Sequence, residues 1–240
     1  YPSSRYQWLS ENLPDATHMS PYLGSYYYVL NNREGSPTAD KRVREALNLA
    51  IRRNVLSEQI MAGSFKASTA MVPPGTSHYD AQQMDLGSDD MNDRMARAKE
   101  LLKEAGYGPD HPLELRLRYN TSDEHKKIAI AVAAMWKPLG VNIQMINAEA
   151  TVHYQTIQQG DFDIARAGWI ADYNDAENFL LTCEEFLPEA KIDTHSFTVQ
   201  IRDRSVLVRN YPVSVDVAEL NRLVFQLYLT PLLFITIFSR

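Results

Sequence analysis

Cysteine occurs once, at Cys183, so the chain can form no internal disulfide and no multi-cysteine zinc or iron–sulfur site; the lone thiol reads as an ordinary small apolar residue. Basic charge is short as well. The 24 Lys and Arg against 30 Asp and Glu leave a net charge of -6, and the basic residues are scattered rather than striped, which excludes the electrostatic footprint of a nucleic-acid binder. The six histidines are spread widely, with no pair at metal-ligand spacing on an expected helix. There is no G-x-S-x-G elbow, no H-E-x-x-H, no P-loop and no G-x-G-x-x-G opening a helix after a strand, so no enzyme class, cofactor or metal is indicated. Nor is there a charged-then-apolar leader after Tyr1, and no export signal can be read directly. The expectation is a processed product or a piece of something longer.

What is present is a globular composition, 45% hydrophobic and 22% charged, sufficient for a substantial core in one or two domains. Residues 22–31, YLGSYYYVLN, read as an aromatic strand followed by a turn-rich loop. From Asp40, the expected N-cap, Val43, Ala46, Leu47, Ala50 and Ile51 recur at helical steps, and Gly63 sits where a C-terminal cap belongs. A second amphipathic helix carries Met91, Met95, Ala98, Leu101, Leu102 and Ala105 before Gly106. At Leu113 the period changes to two, with Leu113, Leu115, Leu117 and Tyr119 alternating against charged residues. A helix follows from about Ser122 to Lys137, with Thr121 and Glu124 at capping-box spacing. Strand 141–146, helix 151–159 and strand 162–169 complete a strand, helix, strand, helix, strand series, the pattern of an α/β unit with parallel pairing.

Ligands of such open sheets collect beyond the carboxyl ends of the strands, where YNTSDEH (119–125) and GWIADYND (168–175) lie. Two readings stand open for each polar residue there. Asp172 and Asp175 are either solvated loop acids or ligand groups, Arg166 is either a surface arginine or an anion site, and Trp169 is either core or a pocket wall. His125, in the first turn of its helix, is either a neutral histidine bonded locally or a conditional carboxylate contact. Taken together they suit a zwitterionic, strand-like ligand: an aspartate for an ammonium group, an arginine or histidine for a carboxylate, and a strand backbone for main-chain pairing.

YNTSDEHKKIAIAVAAMWKPLGVNIQ (119–144) and GDFDIARAGWIADYND (160–175) resemble the oligopeptide-binding proteins of bacterial peptide ABC importers, the family 5 extracellular solute-binding proteins. PYLGSYYYVLNN (21–32), DKRVREALNLAIRRNVL (40–56) and AKELLKEAGY (98–107) extend the resemblance over roughly residues 15–181. It implies a periplasmic-binding-protein-like α/β lobe with a mixed, mainly parallel sheet flanked by helices. The implied function is that of a monomeric periplasmic receptor that closes around short peptides, hands them to an inner-membrane ABC permease, and does no covalent chemistry. On the same pattern Asp172 takes the peptide's α-amino group, and the backbone of Ala167, Gly168, Trp169 and Ile170 pairs with its main chain. Arg166 and His125 meet its carboxylate, and Trp169 helps wall a side-chain pocket.

Ile157 departs from the pattern, standing where some members carry another basic residue for the carboxyl end, which leaves the preferred peptide length open. Members of the family are also much longer. The expected organisation is therefore 1–20 as a hinge-proximal segment from a missing first lobe, 21–181 as the peptide-binding C-terminal lobe, and 182–240 as an aberrant tail, by frameshift or other degeneration. Within that tail the apolar run 223–238, interrupted by Gln226, Thr230 and Pro231, is too short for an ordinary membrane span and is expected to be exposed and aggregation-prone. Two competing readings remain: a non-functional remnant of a damaged gene, and an α/β hydrolytic enzyme using Asp172 or Asp175 with His125 as acid and base.

Overall fold

The computed structural model describes residues 5–18, 22–77, 79 and 83–179, together with the backbone of four later strands, 190–193, 198–201, 204–207 and 234–239. Cys183 and most of the expected aberrant tail lie outside the described residues. A short helix α1 (Tyr6–Asn12) precedes β1 (Gly24–Leu30). Tyr27, Tyr28, Val29 and Leu30 are all buried, the pattern of an interior strand covered on both faces rather than of a half-exposed one.

Helix α2 (Lys41–Leu49) begins where the Asp40 carboxylate accepts the Arg42 N–H at 2.8 Å. The single helix expected from Asp40 to Gly63 is broken into two pieces. After α2 the chain turns through Arg52, at φ -89° and ψ 78°, into a short helix α3 (Arg53–Val55) that widens into one π-helical turn over Leu56–Ile60. The break has a tertiary cause. The indole N–H of Trp136, distant in sequence and fully buried, donates to the carbonyl of Leu47 at 2.8 Å, and the Arg53 guanidinium bonds the side chain of Asn48. Both interactions use groups at the α2 terminus. Gly63, at φ +75°, closes the second piece.

After the two-residue strand β2 (Lys66–Ala67), helix α4 (Met91–Glu104) is capped by Asp90 and stopped at Gly106, where φ is +91°. In β3 (Leu113–Asn120) the alternating Leu113, Leu115, Leu117 and Tyr119 are buried as their spacing predicts. Helix α5 (Asp123–Trp136) follows, but its cap is Ser122, whose hydroxyl accepts the Glu124 N–H at 3.2 Å. Thr121 is not available for that role. Its N–H and its hydroxyl both donate to Ala148 O, at 2.8 and 3.0 Å, extending the contact with β4 (Val141–Ala148) and moving the cap one residue on. Helix α6 (Ala150–Gln159) and β5 (Ile164–Ile170) complete the unit.

The sheet order is β2-β9-β1-β5-β3-β4, where β9 is Phe234–Ser239. β3 runs parallel to β4 and to β5, while β1 is antiparallel to β5, so the strands β1, β5, β3 and β4 form a mixed, mostly parallel sheet flanked by helices. β9 lies antiparallel between β1 and β2, which puts the backbone of the last residues of the apolar run in the sheet instead of leaving it unpaired. A separate antiparallel sheet contains β6 (Ala190–Asp193), β7 (Thr198–Ile201) and β8 (Arg204–Leu207).

The alternation of β1 divides the core. Tyr28 and Leu30 join Leu47, Leu117 and Trp136 in the larger cluster, and Tyr27 and Val29 join Met71, Ile157, Phe162 and Ala167 in a second. At the start of β5 an ionic clasp fixes the register with β3. Asp163 accepts the Arg116 N–H at 2.8 Å and its guanidinium at 3.2 Å, and Asp161 bridges Arg116 and Arg118.

Candidate functional site

β5 is held unequally on its two sides. It pairs with β1 through all seven residues, from Ile164↔Leu30 to Ile170↔Gly24, but with β3 only at Leu117↔Ile164 and Arg118↔Ala165. Beyond Ala165 the parallel neighbour has diverged. In an antiparallel pair alternate residues direct their N–H and C=O to the partner. Asn31 N–H bonds Asp163 O and Ala171 N–H bonds Leu23 O, so the odd-numbered residues of β5 face β1 and the backbone of Arg166, Gly168 and Ile170 faces the opposite side. There the carbonyl of Arg166 is taken by His153 Nε2 of α6 at 2.8 Å, whereas Gly168 and Ile170 have no backbone partner on that side among the described residues. A carbonyl can only accept, so His153 carries its proton on Nε2 and leaves Nδ1 a buried lone pair without a partner.

The same stretch lines a cavity of about 340 Å³, bounded from β1 by Ser25 and Tyr26, from β5 by Arg166 and Gly168, from α5 by His125 and from α6 by Tyr154. Met61, Phe65 and Ile128 make its apolar wall. Glu124 of α5 also lines it, and its cation is Arg166. Its guanidinium carbon stands 4.8 Å from the centroid of the Tyr26 ring, and Nη1 donates to Asn120 Oδ1 at 3.2 Å and to the Tyr154 hydroxyl at 3.3 Å. None of the ion pairs among the described residues involves Arg166. Gly168 permits this arrangement, since a Cβ there would stand 3.1 Å from both Arg166 Nη2 and Ser25 O.

Burial dominates the titration of the cavity. It pushes His125 down to about 4, assisted by the nearby charge of Arg166 and by His153, so the ring is neutral at neutral pH. Nδ1 of His125 is buried without a hydrogen-bond partner among the described residues, so the locally bonded reading finds no support at that nitrogen, and the ring packs against Tyr26 at 5.5 Å between centroids. Burial likewise lowers His153 and raises Tyr26 to about 12, Arg166 opposing the latter shift.

Five of the residues singled out in the sequence, His125, Arg166, Gly168, Trp169 and Ile170, therefore line one cavity. Ile170 is apolar yet 58% exposed at the strand end. Ala167 alternates to the opposite face and is buried with Tyr27 and Ile157. Its backbone N–H and C=O, like those of Trp169, turn to β1, so of the four residues expected to pair with a peptide main chain only Gly168 and Ile170 present theirs to the open side. Ile157 is itself core. Asp172 is exposed just past the end of β5 and is not among the cavity-lining residues, so the acid–base pair imagined with His125 is not assembled in the cavity. Asp175 accepts the Glu177 N–H at 2.9 Å within the following turn.

Sequence reasoning missed Tyr26, Asn120, His153, Tyr154 and Asn178. The last is buried and accepts the Trp169 indole N–H at 2.7 Å and the Asp172 N–H at 3.2 Å, which fixes the turn carrying both residues. Only Tyr26 had a readable signal, since period two places it on the face of Tyr28 and not of Tyr27. Among the described residues no group of three or more His, Cys, Asp or Glu side chains could hold a metal ion, and no helix is long and apolar enough to cross a membrane.

Comparison with known proteins gives a consistent result. The model for bacterial extracellular solute-binding proteins, family 5 (middle), matches residues 2–185. The periplasmic oligopeptide-binding protein OppA of Escherichia coli (strain K12) is 42% identical over 182 residues, 75% of this chain and 33% of that protein. The periplasmic murein peptide-binding protein MppA of the same organism is 40% identical over 181 residues, 75% of this chain and 34% of that protein. A solved MppA structure, in an unliganded open form, matches with a TM-score of 0.70, 75% of this chain and 35% of that one. The crystal structure of Haemophilus influenzae OppA in complex with RPPGFSPFR matches with a TM-score of 0.67 at 33% identity, covering 74% of this chain and 35% of that one. The chain thus spans about a third of the length of the curated relatives it matches.

Proposed function

The chain belongs to the bacterial extracellular solute-binding proteins of family 5, and from that premise we propose that it is a periplasmic peptide-binding lobe serving an ABC importer. The observation that carries the proposal is the half-open strand. Among the described residues the outward N–H and C=O groups of β5 beyond Ala165 have no partner strand, and they lie beside Arg166, which is in no ion pair there. An extended peptide supplies what each group lacks: a backbone to continue the sheet and a carboxylate for the guanidinium.

In this reading the peptide lies along Gly168 and Ile170 as an added strand. Its carboxyl end is held by Arg166 near His125, its amino end is held by Asp172, and a side chain rests against Trp169 and the apolar wall of Met61, Phe65 and Ile128. Main-chain pairing and charged termini are shared by all peptides, which favours broad sequence tolerance. Peptide-binding relatives and the family assignment support binding rather than turnover, with the receptor acting as a monomer that presents its ligand to an inner-membrane permease. Asp172 supports its role by position alone, exposed at the strand end and held there through Asn178.

The test is the thermal melt of the purified chain by circular dichroism, with and without a millimolar mixture of tri- to pentapeptides. A ligand at a hundred times its Kd stabilises by about 2.7 kcal/mol, a rise of roughly 5–10 °C for a chain this size. The expected result is a cooperative transition that shifts upward in the wild type and does not shift in Asp172→Ala. An unmoved wild-type midpoint refutes peptide binding by this chain, and a full shift in the variant removes Asp172 from the site.

A further inference from the structure

Arg166 is held by two neutral oxygens. Asn120 Oδ1 is 3.2 Å from Nη1 and the Tyr154 hydroxyl is 3.3 Å from the same nitrogen. The two partners come from different elements, Asn120 from the carboxyl end of β3 and Tyr154 from the first half of α6. The guanidinium is thus steadied by two elements, β3 and α6, on the open side of β5. Its plane is limited on a third side by Tyr26, over whose ring it lies, and on a fourth by the backbone at Gly168.

The arrangement fixes the position of the cation without an ion pair among the described residues, Glu124 being the one carboxylate in the cavity lining. A carboxylate at either location would form an ion pair at hydrogen-bonding distance, and Arg166 would then meet any incoming anion already neutralised. The amide of Asn120 and the phenol of Tyr154 supply acceptor oxygens without a formal charge. Elsewhere in the same sheet the opposite choice is made: Arg116 and Arg118, on β3, are matched by Asp161 and Asp163 in the structural clasp. The neutral partners of Arg166 and the acidic partners of Arg116 therefore mark a binding arginine and a structural one within a few residues of the same strands.

We infer that Asn120 is a specificity-determining residue: it orients Arg166 through a neutral oxygen, and its lack of charge is what makes the site prefer a ligand with a free carboxylate over the same ligand with an amide. Tyr154 is a positioning residue acting with it on the same nitrogen. The inference rests on the peptide-binding reading above and adds a selection rule that that reading does not contain.

Asn120→Asp tests it, because the substitution preserves shape and keeps an oxygen where Oδ1 stands while adding the competing charge. The probes are tetra-alanine and tetra-alanine amide, titrated against the purified full chain and followed by thermal melting and calorimetry. The expected result has two parts. Without ligand, Asn120→Asp melts at or above the wild-type temperature, since it gains an ion pair with Arg166. With ligand, the wild type prefers the carboxylate probe by about tenfold or more, as a charge-assisted contact should, and Asn120→Asp loses that preference.

Asn120→Ser, neutral but still an acceptor, retains most of the preference and keeps the test decisive if the aspartate variant folds poorly. Tyr154→Phe lowers the preference part of the way. A wild type that prefers the carboxylate probe while Asn120→Asp keeps that preference in full overturns the inference and leaves peptide binding standing. A wild type that binds both probes equally, or neither, overturns the carboxylate role of Arg166 and the inference with it.

Discussion

Acidification should weaken this chain in the range where a free histidine takes up its proton, and His125 is the group responsible. Burial, then the charge of Arg166 and the presence of His153, hold its folded pKa at about 4 against 6.5 for the free side chain. A depressed histidine pKa means that the unfolded state binds the proton first. Stability is therefore intact above about pH 6.5 and is lost progressively as the pH falls toward 4. At pH 5 the unfolded side chain is protonated by roughly thirty to one, whereas the folded one is protonated in roughly one molecule in ten. The difference corresponds to about 2 kcal/mol between pH 7 and pH 5, reduced to about 1 kcal/mol because the ring is only partly buried and solvent screens it. The charged and titratable neighbours on the packed elements are Arg166 and Tyr26 from β5 and β1, Glu124 from α5 and His153 from α6. The assay is urea denaturation of the wild type and His125→Asn at pH 7 and at pH 5. The wild type should lose about 1 kcal/mol more than the variant on acidification, while other histidines, His153 among them, contribute to both proteins and drop out of the difference. Equal losses would refute the reasoning, because His125 would then titrate as it does in the unfolded chain.

Two further outcomes follow from packing. Trp136→Ala should cost about 3–5 kcal/mol in urea denaturation, since it empties a fully buried indole site and strips the Leu47 carbonyl of its donor; a loss below about 1 kcal/mol would show that the indole does not secure the α2 terminus. Gly168→Ala should change the melting temperature little and weaken peptide binding measurably by calorimetry, because the added methyl meets Arg166 Nη2 and Ser25 O at 3.1 Å and must displace the guanidinium; unchanged affinity would mean that the arginine has no need of that position.

What the sequence disclosed divides along local and non-local lines. The alternation of Leu113, Leu115, Leu117 and Tyr119 identified β3 because the period of a strand is a property of neighbours in the chain. Asp40 and Gly63 were recognisable for the same reason. The break after α2 was not, because it is shaped by an indole donated from Trp136 at the far end of α5. Thr121 reads as the α5 cap because capping spacing is local, whereas the competing bonds to Ala148 come from another strand. The cavity followed the same rule. Arg166, Trp169 and Gly168 stood out as an unusual cluster along one strand, while Asn120 and Tyr154 looked ordinary until folding brought β3 and α6 onto a single guanidinium nitrogen. The residues proposed to bind were visible, and those that position them were not.

The early parting of β3 and β5 has a consequence for the behaviour of the chain in a crowded medium. An unpaired strand margin does not discriminate between a nutrient and a neighbour, because its hydrogen bonds are satisfied by any extended backbone of suitable reach. Whatever occupies that margin also hides it. On the proposed peptide-binding reading, ligand binding and protection from self-association are then one event, and the ligand-free chain is the form that presents this margin.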